Sequence, residues 1–352
     1  MNNFHGSLGS LTFPTSSSLT ALMLNGNQLE GPLPPSLINC TDLEILDIGN
    51  NMINDTFPYS LEDLENLRVI ILRSNRFHGP INNSSATFPF PKLRILDLSH
   101  NQFTGPLPIN YFNNFVAMMP SSMDNVGFRY MFNSEFEYYS VTLSIKGGEM
   151  EMERILTIFT TIDLSDNLFR GPIPEVIGKL QSLKLLNFSH NSLTGDIPSS
   201  LSNLTQLEAL DLSYKQLVGN IPMQLTSLTF LSVLNLSYNQ LVGPIPQGKQ
   251  FDTFLNDSFI GNLGLCGSTL SKKCSNEEPN QPTSVILEEN NASSWFDWKI
   301  ALMGYGCGLV LGISIGYIVF STGKPQWFVR LIEREGPKKV RRLNRGSRGR
   351  RN

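Results

Sequence analysis

Residues 183–198 read LKLLNFSHNSLTGDIP, and this stretch decides the fold because its pattern returns along most of the chain. Aligning the pattern LxxLxLxxN gives a recurring asparagine position, at Asn27, Asn51, Asn75, Asn101, Asn167, Asn191, Lys215 and Asn239. The successive intervals are 24, 24, 26, 66, 24, 24 and 24 residues. A period this regular indicates a repeat protein, in which each unit stacks on its neighbours.

The first half of each unit predicts a short strand. The alternation LxL turns its leucines into a core and leaves the intervening residues on the other side of a stacked parallel sheet. The asparagine closes the turn, because its amide both donates and accepts hydrogen bonds with backbone groups of neighbouring units. Lys215 has no acceptor and prefers water, so we expect a local distortion there that costs about 1 to 3 kcal/mol.

The second half of each unit reads LxGxIP, as in residues 193–198 and 241–246. This pattern resembles the plant-specific subclass of leucine-rich repeats, with 24 residues per unit. The resemblance implies a leucine-rich-repeat solenoid with a curved parallel β-sheet and an extracellular location in a plant. The glycine permits the bend and the proline fixes the backbone after it, so we interpret both as structural.

An insertion interrupts the repeats. The 66-residue interval equals one 24-residue unit plus 42 further residues, which places repeats at 1–108 and 156–246 and the insertion at 109–155. Rich in tyrosine and phenylalanine, it resembles the island domain of plant receptor-like proteins and receptor kinases, which lies four repeats before the carboxyl-terminal cap. The alternative is a loop that only packs over the sheet edge, but long insertions in repeat proteins are more often functional.

Residues 248–267 read GKQFDTFLNDSFIGNLGLCG and resemble the carboxyl-terminal cap of plant leucine-rich-repeat receptors, so we place the cap at 247–275. A cap covers the apolar end of the last unit. Cys266 and Cys274 enclose a short loop there and predict a disulfide in an oxidising compartment, whereas Cys40 is expected to be a small buried residue. The chain begins within a repeat, without the family's signal peptide, so we expect a truncated gene product or a fragment.

Residues 300–320 contain no charged side chain and predict a single transmembrane helix. Such a helix is about 32 Å long, close to the hydrocarbon thickness of a bilayer. The following segment, 321–352, carries 11 Lys and Arg against two Glu, which leaves a net charge of -12 on residues 1–320 out of the total of -3. The positive-inside rule therefore predicts a single-pass type I protein of the plasma membrane, with extracellular repeats and a basic cytosolic tail.

The predicted transmembrane helix repeats glycine every fourth residue, at Gly304, Gly308, Gly312 and Gly316. A second helix can approach such a face closely, although glycine is also simply common in membrane helices. The family resemblance implies that this face and the acidic juxtamembrane linker, 276–299, associate with an adaptor receptor kinase. The basic tail predicts contact with anionic membrane lipid. A nucleic acid is the weaker interpretation, because the repeats are expected outside the cell.

Nine N-x-S/T sequons precede the apolar segment, which agrees with glycosylation in the secretory lumen. They begin at Asn39, Asn54, Asn82, Asn83, Asn187, Asn203, Asn235, Asn256 and Asn291.

No kinase glycine loop, HRD, DFG, GxSxG or HExxH motif occurs in the sequence. We therefore expect no enzymatic activity, cofactor or metal, and signalling through a partner kinase. An extracellular peptide, protein or glycan is expected to bind the repeats, with a co-receptor kinase as a further partner. Ligand contacts are predicted where side chains depart from the Asp/Ser/Asn background of the strands, and in the insertion, at Arg68, Arg73, Arg94, Lys184, Tyr138 and Lys146.

Other functions fit the same repeats. An extracellular inhibitor or wall-binding protein of the polygalacturonase-inhibitor type has similar repeats, but the apolar segment argues against it. A developmental peptide receptor component and a truncated non-functional paralogue remain alternatives. The resemblance favours plant defence, because family members with this insertion and membrane segment are more numerous there.

Overall fold

Each repeat contributes one three-residue strand to a parallel main sheet. The computed structural model describes residues 3–82, 84, 86–120, 130–131, 139–145, 148–267, 269–270, 272 and 274. In this part of the chain the main sheet has eight strands, which follow one another in chain order. They are Ala21–Met23, Ile45–Asp47, Val69–Ile71, Ile95–Asp97, Thr161–Asp163, Leu185–Asn187, Ala209–Asp211 and Val233–Asn235.

The central residue of each strand faces the main core, as Leu46, Leu96 and Leu186 do. Equivalent residues lie opposite each other, so that Leu186 has Ile162 on one side and Leu210 on the other. The flanking residues of each strand turn to the opposite side, which we call the outer face. These parallel strands and their stacked core confirm the repeat solenoid that the sequence predicts.

A second set of strands runs beside the main sheet and follows the asparagine positions. These strands are His5–Ser7, Gln28–Gly31, Met52–Ile53, His78–Pro80, Gln102–Gly105, Leu168–Pro172, Ser192–Asp196, Gln216–Val218, Val242–Pro244 and Gly264–Cys266. The insertion adds an antiparallel hairpin of Val141–Ile145 and Gly148–Met152.

Short 3-10 helices complete the units, and several begin directly after a proline because proline fixes a helix-compatible φ. They are Leu8–Ser10, Pro35–Asn39, Tyr59–Leu61, Val116–Met118, Glu175–Lys179, Ser199–Asn203, Met223–Ser227, Lys249–Thr253 and Asn256–Ser258. One α-helix, Ile109–Asn114, stands in the place of such a segment within the described residues.

The start of the insertion belongs to the solenoid. Tyr111, Phe112 and Met118 are buried in the main core, and the carbonyl of Met118 accepts a hydrogen bond from the Ser182 amide at 3.0 Å. The first residues of the predicted insertion therefore pack into the solenoid core, where aromatic residues take positions that leucines hold in other units.

The asparagine ladder forms as expected. The Asn51 side-chain oxygen accepts from the Leu29 amide at 3.1 Å, and its nitrogen donates to the carbonyls of Leu24 and Ile48 at 2.9 and 3.0 Å. The same geometry recurs at Asn75, Asn101, Asn167, Asn191 and Asn239. Each rung thereby satisfies buried backbone groups of two units.

Lys215 occupies one rung without forming its bonds. The side chain is only 6% exposed, and its Nζ has no hydrogen-bond partner among the described residues. The ammonium does not reach water, because neighbouring units close over the ladder on both sides. Burial lowers the pKa of Lys215 to about 7, although the charges of Asp211 and Asp163 oppose this shift.

The cap extends the ladder by one more rung, which the sequence analysis missed. The side-chain oxygen of Asn262 accepts from the Leu241 amide at 3.0 Å, and its nitrogen donates to the Leu236 carbonyl at 2.9 Å. Cys266 and Cys274 form a disulfide with their Cα atoms 5.0 Å apart, and Cys40 is a buried free thiol. The cap thus covers the last repeat with a unit whose asparagine forms the same hydrogen bonds to the backbone as in the repeats.

The described residues include no helix that is both long enough and apolar enough to cross a bilayer. The predicted transmembrane segment, its four glycines, the acidic linker and the basic tail lie outside the described residues.

Candidate ligand-binding face

Three rows of side chains cross the outer face, because every unit places the same position on the same line. The first residue of each strand forms the floor row, which includes Leu185, Ala209 and Val233. The third residue forms the carboxyl row: Met23, Asp47, Ile71, Asp97, Asp163, Asn187, Asp211 and Asn235. The residue before each ladder position forms the rim row: Asn50, Ser74, His100, Asp166, His190, Tyr214 and Tyr238.

The insertion covers the first half of this face. Ile45, Val69, Ile71 and Ile95 from the strands form a second apolar core with Met131, Tyr139, Val141 and Ile155 of the insertion. The Tyr139 hydroxyl also donates to the Thr20 side-chain oxygen at 3.1 Å. Ile71 is apolar where most other units carry aspartate or asparagine. Burial of these strand residues under the insertion is favourable by about 25 cal/mol per Å² of apolar surface.

The second half of the outer face is open and forms a cleft of about 440 Å³. Its floor consists of Leu185, Ala209 and Val233, and one wall carries the amides and carboxyl of the carboxyl row. Its lining residues are His100, Ser165, Asp166, Leu185, Leu186, Asn187, Ser189, His190, Ala209, Leu210, Asp211, Val233 and Asn235. This cleft lies on the outer face, where the sequence analysis predicts ligand contacts.

Within the carboxyl row each polar residue accepts from the residue two positions later, which is Gly49 for Asp47 and a serine for the others. Asp211 Oδ1 accepts from the amide and hydroxyl of Ser213 at 2.9 and 2.6 Å. Asn235 makes the same contacts to Ser237, and it also donates to Asp211 Oδ2 at 3.1 Å. The alternation of carboxylate and amide along the row lets each carboxylate accept a hydrogen bond from the amide of the next unit, which holds the wall of the cleft in a fixed geometry.

Two adjacent carboxyls lie where the insertion leaves the repeats. Asp97 and Asp163 occupy opposite positions on neighbouring strands and are almost fully buried. Burial raises the pKa of Asp97, and burial together with the Asp97 charge raises the pKa of Asp163 to about 7. Two such carboxylates are unfavourable side by side, so this pair holds a proton near neutral pH.

Arg73 is part of the same charge network rather than of the accessible face. Its side chain is only 4% exposed, and its guanidinium charge works against the burial that raises the pKa values of Asp47 and Asp97. An arginine at this position offsets the negative charge that the neighbouring strands bring together.

The rim row continues beside the cleft with residues in left-handed backbone geometry, at φ values between 50° and 54°. His100 Nδ1 lies 2.6 Å from Asp166 Oδ2. The rings of His190 and Tyr214 stack with centroids 4.2 Å apart, and those of Tyr214 and Tyr238 with centroids 4.4 Å apart. Tyr214 therefore lies between the other two rings, and Tyr214 and Tyr238 are 44% and 46% exposed.

The other predicted ligand contacts lie along the border of the face. Arg68 and Arg94 are half-buried neighbours, with the Arg94 amide donating to the Arg68 carbonyl at 2.8 Å. Arg68 Nε approaches a Glu44 carboxylate oxygen at 3.7 Å, and Lys184 Nζ binds Glu208 at 2.8 Å. Tyr138 and Lys146 lie outside the described residues. Their roles as ligand contacts stay predictions.

The sequons fall into two structural groups. Asn54, Asn82, Asn203 and Asn256 are exposed and lie outside the strands, and Asn39 is partly buried with its nitrogen donating to the Phe13 carbonyl at 2.9 Å. Asn187 and Asn235 instead belong to the carboxyl row, where their amides bind Asp163 and Asp211. Asn83 and Asn291 lie outside the described residues.

Comparison with other proteins agrees with the geometry. Two family models described as leucine-rich repeats match residues 17–77 and 159–217, and residues 92–115 and 230–248. The chain is 50% identical to receptor-like protein 34 of Arabidopsis thaliana over 345 residues, which is 97% of this chain and 35% of that protein. It is 51% identical to receptor-like protein 43 of the same plant, over 95% of this chain and 46% of that protein. The chain belongs to the plant leucine-rich-repeat receptor-like proteins.

This receptor-like protein chain spans less than half the length of those two relatives. Among solved structures, a plant ice-binding protein is similar with a TM-score of 0.53 and 24% identity, over 74% of this chain and 69% of that one. The ectodomain of the Arabidopsis thaliana receptor kinase GASSHO1/SCHENGEN3 matches with a TM-score of 0.48 and 28% identity, over 75% of this chain and 32% of that one. The former similarity supports the solenoid fold of the receptor-like protein.

Proposed function

We propose that this chain is part of a cell-surface receptor that binds an extracellular ligand on its repeats and signals through a partner receptor kinase in plant defence. The observation that carries the proposal is the open cleft on the second half of the outer face, in a chain half identical to receptor-like proteins. Arg68, Arg94 and Lys184 border the same face and are the further proposed contacts. A peptide, protein or glycan is the proposed ligand class.

The proposed topology is single-pass, with the repeats outside the cell. Residues 300–320 are free of charge and precede a segment of net charge +9, which the membrane potential and anionic lipids favour on the cytosolic side. Signalling is proposed to pass through a partner that supplies the catalytic domain, and a co-receptor kinase is a further proposed partner.

The partner kinase is proposed to contact the glycine face of the transmembrane helix. Close backbone approach there gains van der Waals contact without a buried polar group. The test replaces Gly308 and Gly312 with leucine, which remains compatible with membrane insertion. We expect recovery of the adaptor kinase by co-precipitation from plant membranes to fall at least fivefold at equal surface expression.

The matched control places two leucines on the opposite side of the same helix, at Val310 and Ser314. A helix turns 100° per residue, so these positions lie about 200° from Gly308 and Gly312. The control should recover the kinase as the wild type does. Undiminished recovery with the glycine variant would show that the glycine face does not hold the partner.

A further inference from the structure

The charge and the length of the cleft on the second half of the outer face indicate which class of ligand it binds. The inference drawn from them rests on the proposed receptor function. Its lining includes the carboxylates of Asp166 and Asp211 and no lysine or arginine among the described residues. Lys184, on the border of the face, is half-buried and already bound to Glu208 at 2.8 Å. Lys215 lies under the wall and is buried. Asp166 Oδ2 has a ring nitrogen of His100 2.6 Å away. With neutral histidines the lining therefore still presents a net negative charge to a ligand.

The floor of the cleft complements the aliphatic part of a long cationic side chain. Leu185, Ala209 and Val233 lie in line on three neighbouring strands, directly beside Asp211 in the carboxyl row. Lysine and arginine cover apolar surface with their methylene groups while the charged end reaches a polar partner. A groove with an apolar strip and a carboxylate edge satisfies both parts of such a side chain.

The dimensions of the cleft fit a short extended peptide. It runs across four neighbouring strands, from the strand of Asp163 to that of Asn235. Strands are about 4.8 Å apart, so the cleft extends over about 14 Å. An extended chain advances about 3.3 Å per residue, which corresponds to a segment of four to five residues.

A glycan complements the cleft less well. Sugar rings bind proteins by stacking on exposed aromatic faces, but both faces of Tyr214 in the rim are covered, by His190 and Tyr238 at centroid distances of 4.2 and 4.4 Å. A neutral sugar also gains nothing from the net negative charge of the lining. We propose that this cleft binds an extended, basic peptide segment, with an arginine or lysine on the apolar floor facing Asp211 and Asp166.

The test uses dansyl-labelled pentapeptides with a central arginine, glutamine or glutamate between alanines, titrated by fluorescence anisotropy against the full chain in detergent micelles. We expect the arginine peptide to bind at least tenfold more tightly than the other two, and its affinity to fall as salt is raised. Cellopentaose in the same titration should not displace it. No kinase is present, so this result is independent of the co-precipitation that tests the proposed function.

Two variants locate the binding. Asp166→Asn removes a charge from a side chain that is 58% exposed, and Ala209→Lys puts a competing cation on the floor; each should lower the affinity for the arginine peptide about tenfold. Asp63→Asn, an exposed carboxyl outside the cleft, is the control and should bind as the wild type does. Asp211→Asn is avoided because it would create the sequon Asn-Leu-Ser.

Three outcomes would overturn the proposal. Equal binding of the three peptides would show that charge does not select the ligand. Equal losses in the control and cleft variants would place the binding elsewhere. Displacement by cellopentaose, or binding of the glycan with no binding of the arginine peptide, would assign the cleft to a carbohydrate.

Discussion

Replacing Lys215 with asparagine should stabilise the protein, because it restores the one broken rung of the ladder. Lys215 is 6% exposed and its Nζ has no hydrogen-bond partner among the described residues. Its pKa falls from the ordinary 10.5 to about 7 through burial. At about 1.4 kcal/mol for each tenfold change in proton affinity, burial of the charged form costs about 4 to 5 kcal/mol.

The sign of the pH dependence follows from the proton count. Between pH 7 and 10.5 the unfolded chain holds a proton on Lys215 that the folded chain has released, so the stability of the wild type rises with pH in this window. Below pH 7 both states hold the proton and the whole cost remains. The Lys215→Asn variant should therefore exceed the wild type by about 4 kcal/mol at pH 6 and by about 2 kcal/mol at pH 9.

Urea denaturation of both chains at the two pH values measures the difference, and hydrogen exchange of peptides covering residues 209–218 locates it. Lys215→Met is the matched control, since it keeps an unbranched side chain but forms no ladder bonds. It should recover the part of the stabilisation that comes from removing the charge. An asparagine variant less stable than the wild type at pH 6, or a difference that does not change with pH, would refute the burial argument.

Two further predictions concern positions where the same sequence pattern has different surroundings. Glycopeptide mass spectrometry of the secreted protein should find glycans at Asn203 but not at Asn187 or Asn235, whose amides donate to carboxylates at 3.1 Å; a glycan at either of these two would contradict it. Gly261→Ala should lower the free energy of unfolding by about 1 to 3 kcal/mol, because at φ +84° a Cβ would meet the Tyr238 backbone at 3.0 Å. Gly171→Ala, at φ +86° with no atom within 4 Å, should cost less in the same thermal melt.

The repeat fold follows from the sequence because its determinants are local and periodic. One short pattern fixes the strand, the inward leucine and the asparagine that closes the unit, and stacking then follows from the need to bury the apolar side. The final rung was missed because its asparagine does not belong to a repeat of this pattern. Asn262 lies 23 residues after Asn239, outside the leucine pattern, and only its contacts with Leu241 and Leu236 reveal its place.

The covering of the outer face could not be derived from the period alone. A strand residue faces this side whether solvent or the insertion lies above it, and the alternation is the same in both cases. The available signal was Ile71, which takes a carboxyl-row position that holds aspartate or asparagine in most other units. That residue favours a covered surface, but nothing local identifies Met131 or Tyr139 as the cover.

The charged residues show why single departures from a repeat pattern are an uncertain guide to binding. Arg73 departs from the serine of other units, yet it lies buried between strands whose carboxyls it partly neutralises. Asp211 conforms to the pattern, yet it lines the open cleft. In a solenoid every unit brings the same position to one line, so a charge acts with its neighbours along the row rather than by itself. The ligand-binding properties of this face therefore depend on which units the insertion leaves uncovered. In those units the carboxylates of the lining outnumber its lysine and arginine side chains.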